Sequence, residues 1–237
     1  MANVLCLDFD DTVVLDNTWR QFLARFTDSD AWEEKVGQPR ARGELSVEQA
    51  NAAGLDLIDL AVTRDELEAF ALEVARPREG LLELTDWAHW QGWLTVVVSL
   101  GFDFYVNPVL DRLGLDRVAR HTGRASNAYR WRGRYFSPRG IEVEEDFKLS
   151  YARAFRDAGD FVVYVGDGES DEAPAALAPV VFARSTLWEQ LNGQRPGVYP
   201  FETFHEVTAV LDREAGAWLA AFTAGRSDPS APATVRA

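Results

Sequence analysis

The chain is short of several things, and each shortage narrows what it can be. It holds one cysteine in 237 residues, so an intrachain disulfide framework is excluded. That residue, Cys6, lies inside the apolar run 4–7 and reads as a small core side chain rather than a nucleophile. Its three histidines, His89, His121 and His205, stand at no zinc-binding spacing and away from every motif described below. The strongly apolar runs reach about six residues, against the roughly 20 that a membrane-spanning helix needs. Positive charge is scarce too: 24 basic residues face 38 acidic ones, for a net charge of −14. A field of that sign repels nucleic acid and anionic membrane and argues against both as general partners. It would also repel a phosphate ester at long range, so a phosphate site here has to build its own local positive potential. The opening Met-Ala-Asn-Val carries no basic stretch and runs straight into a strand pattern, which reads as no signal peptide and a cytoplasmic location. Lysine is scarcest among the charges. Lys35 and Lys148 are the only two, and the other 22 of the 24 basic residues are arginine.

What remains is an ordinary globular composition, 47% hydrophobic and 26% charged, in a chain long enough to bury a sizeable core. Four short β-branched or aromatic-rich runs, 4–7, 94–98, 161–165 and 180–183, read as buried strands. Helical patterns fall between and after them, at 80–91, 102–113, 147–158, 186–192 and 201–222. Strands alternating with helices predict an α/β fold with a parallel sheet covered by helices on both faces. The stretch 130–140 reads as a hairpin or long loop between the second and third of these strands.

One interval breaks the rhythm. Residues 16–78 carry no convincing strand but three amphipathic helical patterns, 18–26, 46–60 and 64–75, with Ser46 and Gln49 at capping-box spacing. A crossover needs only about a dozen residues, so the excess predicts a small helical domain inserted after the first strand. The expected division is therefore a core of 1–15 and 79–222, an inserted helical unit of 16–78, and a Ser/Pro/Ala-rich disordered tail of 223–237.

Polar residues cluster where the strands end. The first strand runs into Asp8, Asp10, Asp11 and Thr12, the second into Ser99, and the third into Gly166-Asp167-Gly168-Glu169-Ser170-Asp171. In open parallel sheets ligands bind outside the carboxyl ends of the strands, so distant segments deliver carboxylates, a hydroxyl and glycine-rich backbone to one rim. Clustered carboxylates repel unless a cation neutralises them, and hard oxygen ligands favour Mg2+. Lys148, nineteen residues before Asp167 and at the start of the helix leading into the third strand, can reach that rim. An ammonium fits between a phosphate and a carboxylate where a guanidinium fork is too broad.

Together these residues resemble the haloacid dehalogenase superfamily of phosphatases. Its Asp-x-Asp-x-Thr motif stands here as Asp8, Asp10 and Thr12, its strand-end Ser as Ser99, its lysine as Lys148, and its Gly-Asp-x-x-x-Asp as Gly166, Asp167 and Asp171. The resemblance implies a Rossmann-like core and a Mg2+-dependent phosphomonoesterase acting on a small-molecule phosphate ester. Asp8 would be the nucleophile, forming an aspartyl-phosphate, and Asp10 the general acid and then base. Thr12, Ser99, Leu100 and Gly101 would surround the phosphoryl group, with Lys148 adding charge in the transition state. The implied metal ligands are Asp8, Asp10 through its carbonyl, Asp167, and Asp171 as a direct or outer ligand.

The helical insertion resembles the cap of the phosphoserine-phosphatase-like branch. Within that branch the likeness runs to the 2-hydroxy-3-keto-5-methylthiopentenyl-1-phosphate phosphatase family, on Asp8–Asp16-Asn17, the stretch 75–80, the stretch 99–106 and Phe182-Ala183-Arg184, over residues 3–212. Two family glycines are replaced, by Asp11 and Leu100, and Leu100 adds bulk beside the phosphate pocket. Trp19, Phe22 and Phe26 at helical spacing read as core rather than substrate cage. Arg40 and Arg42, in the expected loop 37–43, are candidates for reaching an anionic substrate. Phosphoserine and phosphocholine phosphatases, a phosphotransferase or phosphomutase of the same fold, and a silent binding module remain alternatives at this level.

Overall fold

The computed structural model describes residues 1–227 and builds them around an eight-stranded sheet. The strands are β1 (Asn3–Leu7), β2 (Leu94–Phe102), β3 (Ala119–Ser126), β4 (Arg132–Phe136), β5 (Glu142–Val143), β6 (Phe161–Gly166), β7 (Val180–Ala183) and β8 (Val198–Pro200). Their order across the sheet is β5-β4-β3-β2-β1-β6-β7-β8. From β3 to β8 neighbouring strands pair in parallel, and β4 and β5 add an antiparallel edge. All six residues of β6 are buried. Successive strand side chains point to opposite faces, so such a strand must be covered on both. The covering helices of the core are α6 (Leu81–Trp90), α7 (Asp103–Arg112), α8 (Phe147–Ala158), α9 (Glu172–Ala176), α10 (Ser185–Leu191) and α11 (Phe204–Ser227).

The chain progresses one way from β1 to β2 and β3, and the other way from β6 to β7 and β8. The order reverses at β1, which places the carboxyl ends of β1, β2 and β6 around a topological switch point.

Between β1 and α6 the chain forms five further α-helices: α1 (Thr18–Phe26), α2 (Ser29–Trp32), α3 (Gln38–Ala41), α4 (Val47–Asp56) and α5 (Arg64–Val74). The chain enters and leaves this segment side by side. Val14 and Pro77 form an antiparallel bridge, flanked by hydrogen bonds from Leu15 N to Arg76 O (2.8 Å) and from Arg78 N to Val13 O (2.9 Å). Aromatic rings pack the segment onto the sheet side: Trp19 meets Phe102 edge-on at 5.1 Å, and Phe22 meets Phe104 at 5.1 Å and Tyr105 at 5.3 Å. The Ser46–Gln49 capping box is present at the start of α4.

Several expectations need correction. The stretch 130–140 holds strand β4 and the turn that leads into β5, so it is a hairpin arm. On its other side β4 pairs with β3, an unforeseen strand that is itself a parallel neighbour of β2. The sequence of β3, Ala-Arg-His-Thr-Gly-Arg-Ala-Ser, carries no apolar run because only Gly123 in it is fully buried. The supposed loop 37–43 contains the short helix α3, with Arg40 inside it and Arg42 at its end. Residues 223–227, assigned to a disordered tail, continue α11, and 228–237 lie outside the described residues. Finally, β2 does not stop before Ser99. It runs on to Phe102, and the four steps from Val98 to Phe102 face only two on β3, from His121 to Gly123. Ser99, Leu100 and Gly101 therefore sit on a bulge, a device that re-aims backbone and side chains beside a site. No helix among the described residues is long and apolar enough to cross a membrane.

Candidate active site

The polar ends of β1, β2 and β6 open into one cleft of about 700 Å3 between the sheet rim and helices α1 to α4. Asp8 follows β1, and its N–H continues the ladder by donating to Val165 O at 2.9 Å. Its side chain is buried, and Lys148 Nζ donates to Asp8 Oδ1 at 2.7 Å. Lys148 comes from the first turn of α8, whose Phe147 N–H is capped by Glu48 Oε1 of α4 at 2.8 Å. The same ammonium donates to Asp171 Oδ1 at 2.7 Å and Ser170 Oγ at 3.0 Å, which uses all three of its protons.

Asp171 is completely buried and organises the β6 side. Its Oδ1 also accepts from the Tyr164 hydroxyl at 2.6 Å, and its Oδ2 accepts from Asp167 N at 3.0 Å and Gly168 N at 3.1 Å. Four donors fill the four lone-pair directions of a carboxylate. Gly166 has to be glycine here, because a Cβ would come within 2.6 Å of the Asp171 carboxyl carbon. Thr12, buried beneath the rim, donates to Asp167 Oδ1 at 3.3 Å.

Asp10 has a different setting. Oδ1 accepts from Thr18 N at 2.7 Å and Oδ2 from the Tyr105 hydroxyl at 2.7 Å. Asp11, standing where the resembled family has glycine, takes a left-handed φ of 59°, a conformation that Asp tolerates better than most residues. Its carbonyl is held by Arg78 Nη2 at 2.7 Å and Arg184 Nη1 at 2.8 Å, while buried Arg78 also donates to Thr12 O and Glu202 O. On β2, the Ser99 hydroxyl accepts from Gly101 N at 2.9 Å. Asn51 Nδ2 and the Tyr135 hydroxyl both donate to Leu100 O, at 3.1 and 2.7 Å.

The electrostatics follow from this packing. Burial and the neighbouring Asp171 carboxylate push the Asp8 carboxyl well above the usual range, against the pull of Lys148. Burial raises Asp10 to about 6, opposed by its bonds from Tyr105 and Thr18. Burial and Asp171 raise Asp167 to about 6, opposed by Lys148. Burial alone would lower Lys148, but Asp171 and Asp8 outweigh it and hold the ammonium charged. One ammonium, bound to Asp8 and Asp171, thus stands against three carboxylates, Asp8, Asp167 and Asp171, each of which offers an oxygen within 4.8 Å of the others. The set is short of positive charge and offers hard oxygen donors, so it could hold a divalent cation.

Asp8, Asp10, Ser99, Leu100, Gly101, Lys148, Asp167 and Arg40 all line the cleft. Thr12 and Asp171 sit beneath it. Arg42 is not among the lining residues: it faces solvent and pairs with Glu44 at 2.6 Å. Arg40 instead pairs with Glu169 at 2.9 Å, linking α3 to the loop after β6. Phe22 is core as expected, but Trp19 is both packed and part of the cleft wall. The histidines keep away from the cluster, His121 stacking on Tyr151 and His205 standing beside Glu79. Sequence reasoning assigned no role to Tyr105, Asn51, Tyr135, Glu48, Arg78 or Arg184. Arg78, Tyr105 and Arg184 lay only within the stretches 75–80, 99–106 and 182–184 that carry the family likeness, and Asn51, Tyr135 and Glu48 left no signal.

With this geometry in view, comparison with known proteins is informative. The family profile described as haloacid dehalogenase-like hydrolase matches residues 5–173. The chain is 25% identical over 241 residues to a 2-hydroxy-3-keto-5-methylthiopentenyl-1-phosphate phosphatase of Bacillus velezensis, covering 95% of this chain and 97% of that protein. It is 28% identical over 221 residues to the like-named protein of Bacillus cereus, covering 91% and 98%. Among solved structures, a phospho-aspartyl intermediate analogue of phosphoserine phosphatase shares the fold, with TM-score 0.64, 21% identity and coverage of 90% of this chain and 98% of that one.

Proposed function

Because the chain belongs to the haloacid dehalogenase-like hydrolase family, as a phosphatase of small phosphorylated substrates, we propose that it is a Mg2+-dependent phosphomonoesterase working through an aspartyl-phosphate on Asp8. The observation that carries this reading is the buried 2.7 Å pair of Lys148 and Asp8, with Asp10 beside it on the same cleft. Lys148 fixes Asp8 Oδ1, so the free Oδ2 is the oxygen available to attack phosphorus in line. Asp10 gives a proton to the leaving oxygen and then takes one from the hydrolytic water. The Ser99–Gly101 bulge receives the phosphoryl oxygens, with Leu100 O pinned from behind by Asn51 and Tyr135. Asp8 and Asp167 would hold Mg2+, together with the Asp10 carbonyl; bound there, the ion supplies positive charge against the phosphoryl oxygens. Asp171, its lone pairs already taken, serves to orient Lys148 and the 167–168 backbone rather than to ligate. Helices α1 to α5 act as an inserted cap over 16–78, and the enzyme works in the cytoplasm.

The substrate we favour is 2-hydroxy-3-keto-5-methylthiopentenyl-1-phosphate. The curated relatives carry that name, and the wall opposite the rim includes Trp19, Leu23, Trp32, Val36 and Val47, which suits an uncharged apolar tail better than the zwitterion of phosphoserine. The test is phosphate release across a panel containing this ester, phosphoserine, phosphocholine and simple alkyl phosphates. We expect the methylthio-ketose ester to give the highest kcat/KM and EDTA to abolish turnover. A higher kcat/KM for phosphoserine would overturn the substrate, and undiminished activity in EDTA would overturn the metal.

A further inference from the structure

Tyr105 lies completely buried on α7, in contact with rings from two other segments, Phe9 after β1 at 5.9 Å and Phe22 of α1 at 5.3 Å, and with its helix neighbour Phe104 at 5.4 Å. In a cluster of that kind a phenylalanine would pack as well, and the hydroxyl is the part that packing does not explain. That hydroxyl is aimed at the cleft. It donates to Asp10 Oδ2 at 2.7 Å, and it lies so close over Gly101 that a Cβ there would overlap it. One atom thus touches both the acid/base carboxyl and the loop that would receive the phosphoryl group.

The two donors to Asp10 are not equivalent. Thr18 N–H is fixed in the backbone at the start of α1 and permanently occupies a lone pair of Oδ1. The Tyr105 O–H can rotate. A proton on Asp10 is therefore better accommodated on Oδ2, beside the hydroxyl that can turn aside.

We propose that Tyr105 is a positioning residue for the general acid, holding the proton-bearing oxygen of Asp10 toward the leaving group and receiving its charge when the proton departs. The inference rests on the phosphomonoesterase reading above. In the step concerned, the Oδ2–H bond of Asp10 breaks and its proton passes to the bridging oxygen as the P–O bond opens. The O–H electron pair stays on Oδ2, and the Tyr105 O–H donates to that new anion. A bond made stronger as charge develops favours the transition state over the ground state.

The test is Tyr105→Phe, which keeps the ring and removes one oxygen. The readout is kcat/KM with Mg2+ for a simple alkyl phosphate and for 4-nitrophenyl phosphate, because an activated phenolate needs almost no proton. We expect the alkyl rate to fall roughly tenfold, part of the ~10²- to 10⁴-fold due to general acid–base catalysis, and the nitrophenyl rate to change less than about twofold. Asp10→Asn, measured alongside, should shift the ratio of the two rates in the same direction. An unchanged ratio, whether both rates fall together or neither falls, overturns the proposal. It also separates the two levels of inference: a wild-type enzyme that releases no phosphate from either ester refutes the phosphatase reading, whereas a working enzyme with an unchanged ratio refutes Tyr105 alone.

Discussion

On the sheet side of the cleft, Lys148, Asp8 and Asp171 have side-chain exposures of 4%, 8% and 0%, and they are bound to one another from positions as much as 140 residues apart. On the helical side, Arg40 is 32% exposed and meets Glu169, 75% exposed, on the loop after β6. Arg42 and Glu44, both 55% exposed, pair outside the cleft, and the rest of the wall mixes Trp19, Leu23, Trp32, Val36 and Val47 with the polar Asn17, Arg20 and Asn51. The same pairing of opposite charges does different work in the two places. Taken out of water, the charges on the sheet side are costly unless every partner is present, and they can act strongly on a reacting group. Left in water, those on the helical side are weak, and exchanging them for a substrate costs little. On the proposed reading, chemistry belongs to one wall and selection to the other.

The sharpest break in this comparison is Asp8→Asn. Turnover should fall by on the order of 10³-fold or more, as for removal of other enzymatic nucleophiles, while the fold holds. In metal-free buffer the melting temperature should equal or exceed that of wild type, since the change removes one of three crowded carboxylates and Lys148 keeps Asp171. Substantial turnover in the purified, folded variant would remove Asp8 from the chemistry.

Next comes Lys148. Loss of one preorganised electrostatic contact costs about 10²- to 10³-fold in kcat, which is the expectation for Lys148→Ala. Lys148→Arg keeps the charge but brings a wide planar fork to a pocket where one nitrogen serves Asp8, Asp171 and Ser170. We expect a loss of about tenfold or more, since reach and shape matter in so tight a site. Lys35→Arg, on the exposed turn before α3, is the silent control. A Lys148→Arg enzyme as fast as wild type would mean that charge alone suffices there.

Asp171→Asn probes stability rather than rate. An amide cannot accept from Lys148, Tyr164 and two backbone N–H groups at once, because one of its ends is a donor. Breaking a buried pair by removing one partner typically costs ~3–5 kcal/mol, and urea unfolding should show a loss of that order. Arg40→Ala in the same assay should cost less than ~1 kcal/mol. Equal costs would erase the distinction between the walls.

The sheet wall was also far easier to read in the sequence. Its residues sit at the ends of β1, β2 and β6, where short β-branched runs stop at polar residues, and alternation of strand and helix places those ends together. Tyr105 escaped notice because, within Phe102-Asp103-Phe104-Tyr105-Val106, it reads as one more apolar helix residue, and its partner Asp10 is ninety-five positions away. The bulge at Ser99–Gly101 was invisible for a related reason: it depends on the register of β3, whose arginine-bearing sequence shows no apolar alternation. Helix α11 continues past residue 222 through Thr-Ala-Gly-Arg-Ser, a stretch without an apolar stripe that reads as the beginning of a tail.

The smallest effects concern Arg40 and Arg42, which sequence reasoning could not tell apart. Both lie two residues from each other at the end of α3, and both have acidic partners. Arg42 binds Glu44 through Nε at 2.6 Å and Nη2 at 3.0 Å, a closed bidentate pair on the solvent side. Arg40 reaches across the cleft mouth, and one nitrogen meets Glu169 of the loop that begins at Asp167. A substrate entering between the walls meets the second guanidinium and not the first. Arg40→Ala should therefore raise KM by up to about fivefold with kcat unchanged, the size expected of an interaction worth at most ~1 kcal/mol. Arg42→Ala should leave both constants as they are. Glu169→Gln supplies the opposite sign: it weakens the hold on Arg40, leaves its charge free for the substrate, and should lower KM slightly. If Arg42→Ala raised KM as much as Arg40→Ala, the effect would be one of general surface charge, and the helical wall would not select substrates through Arg40.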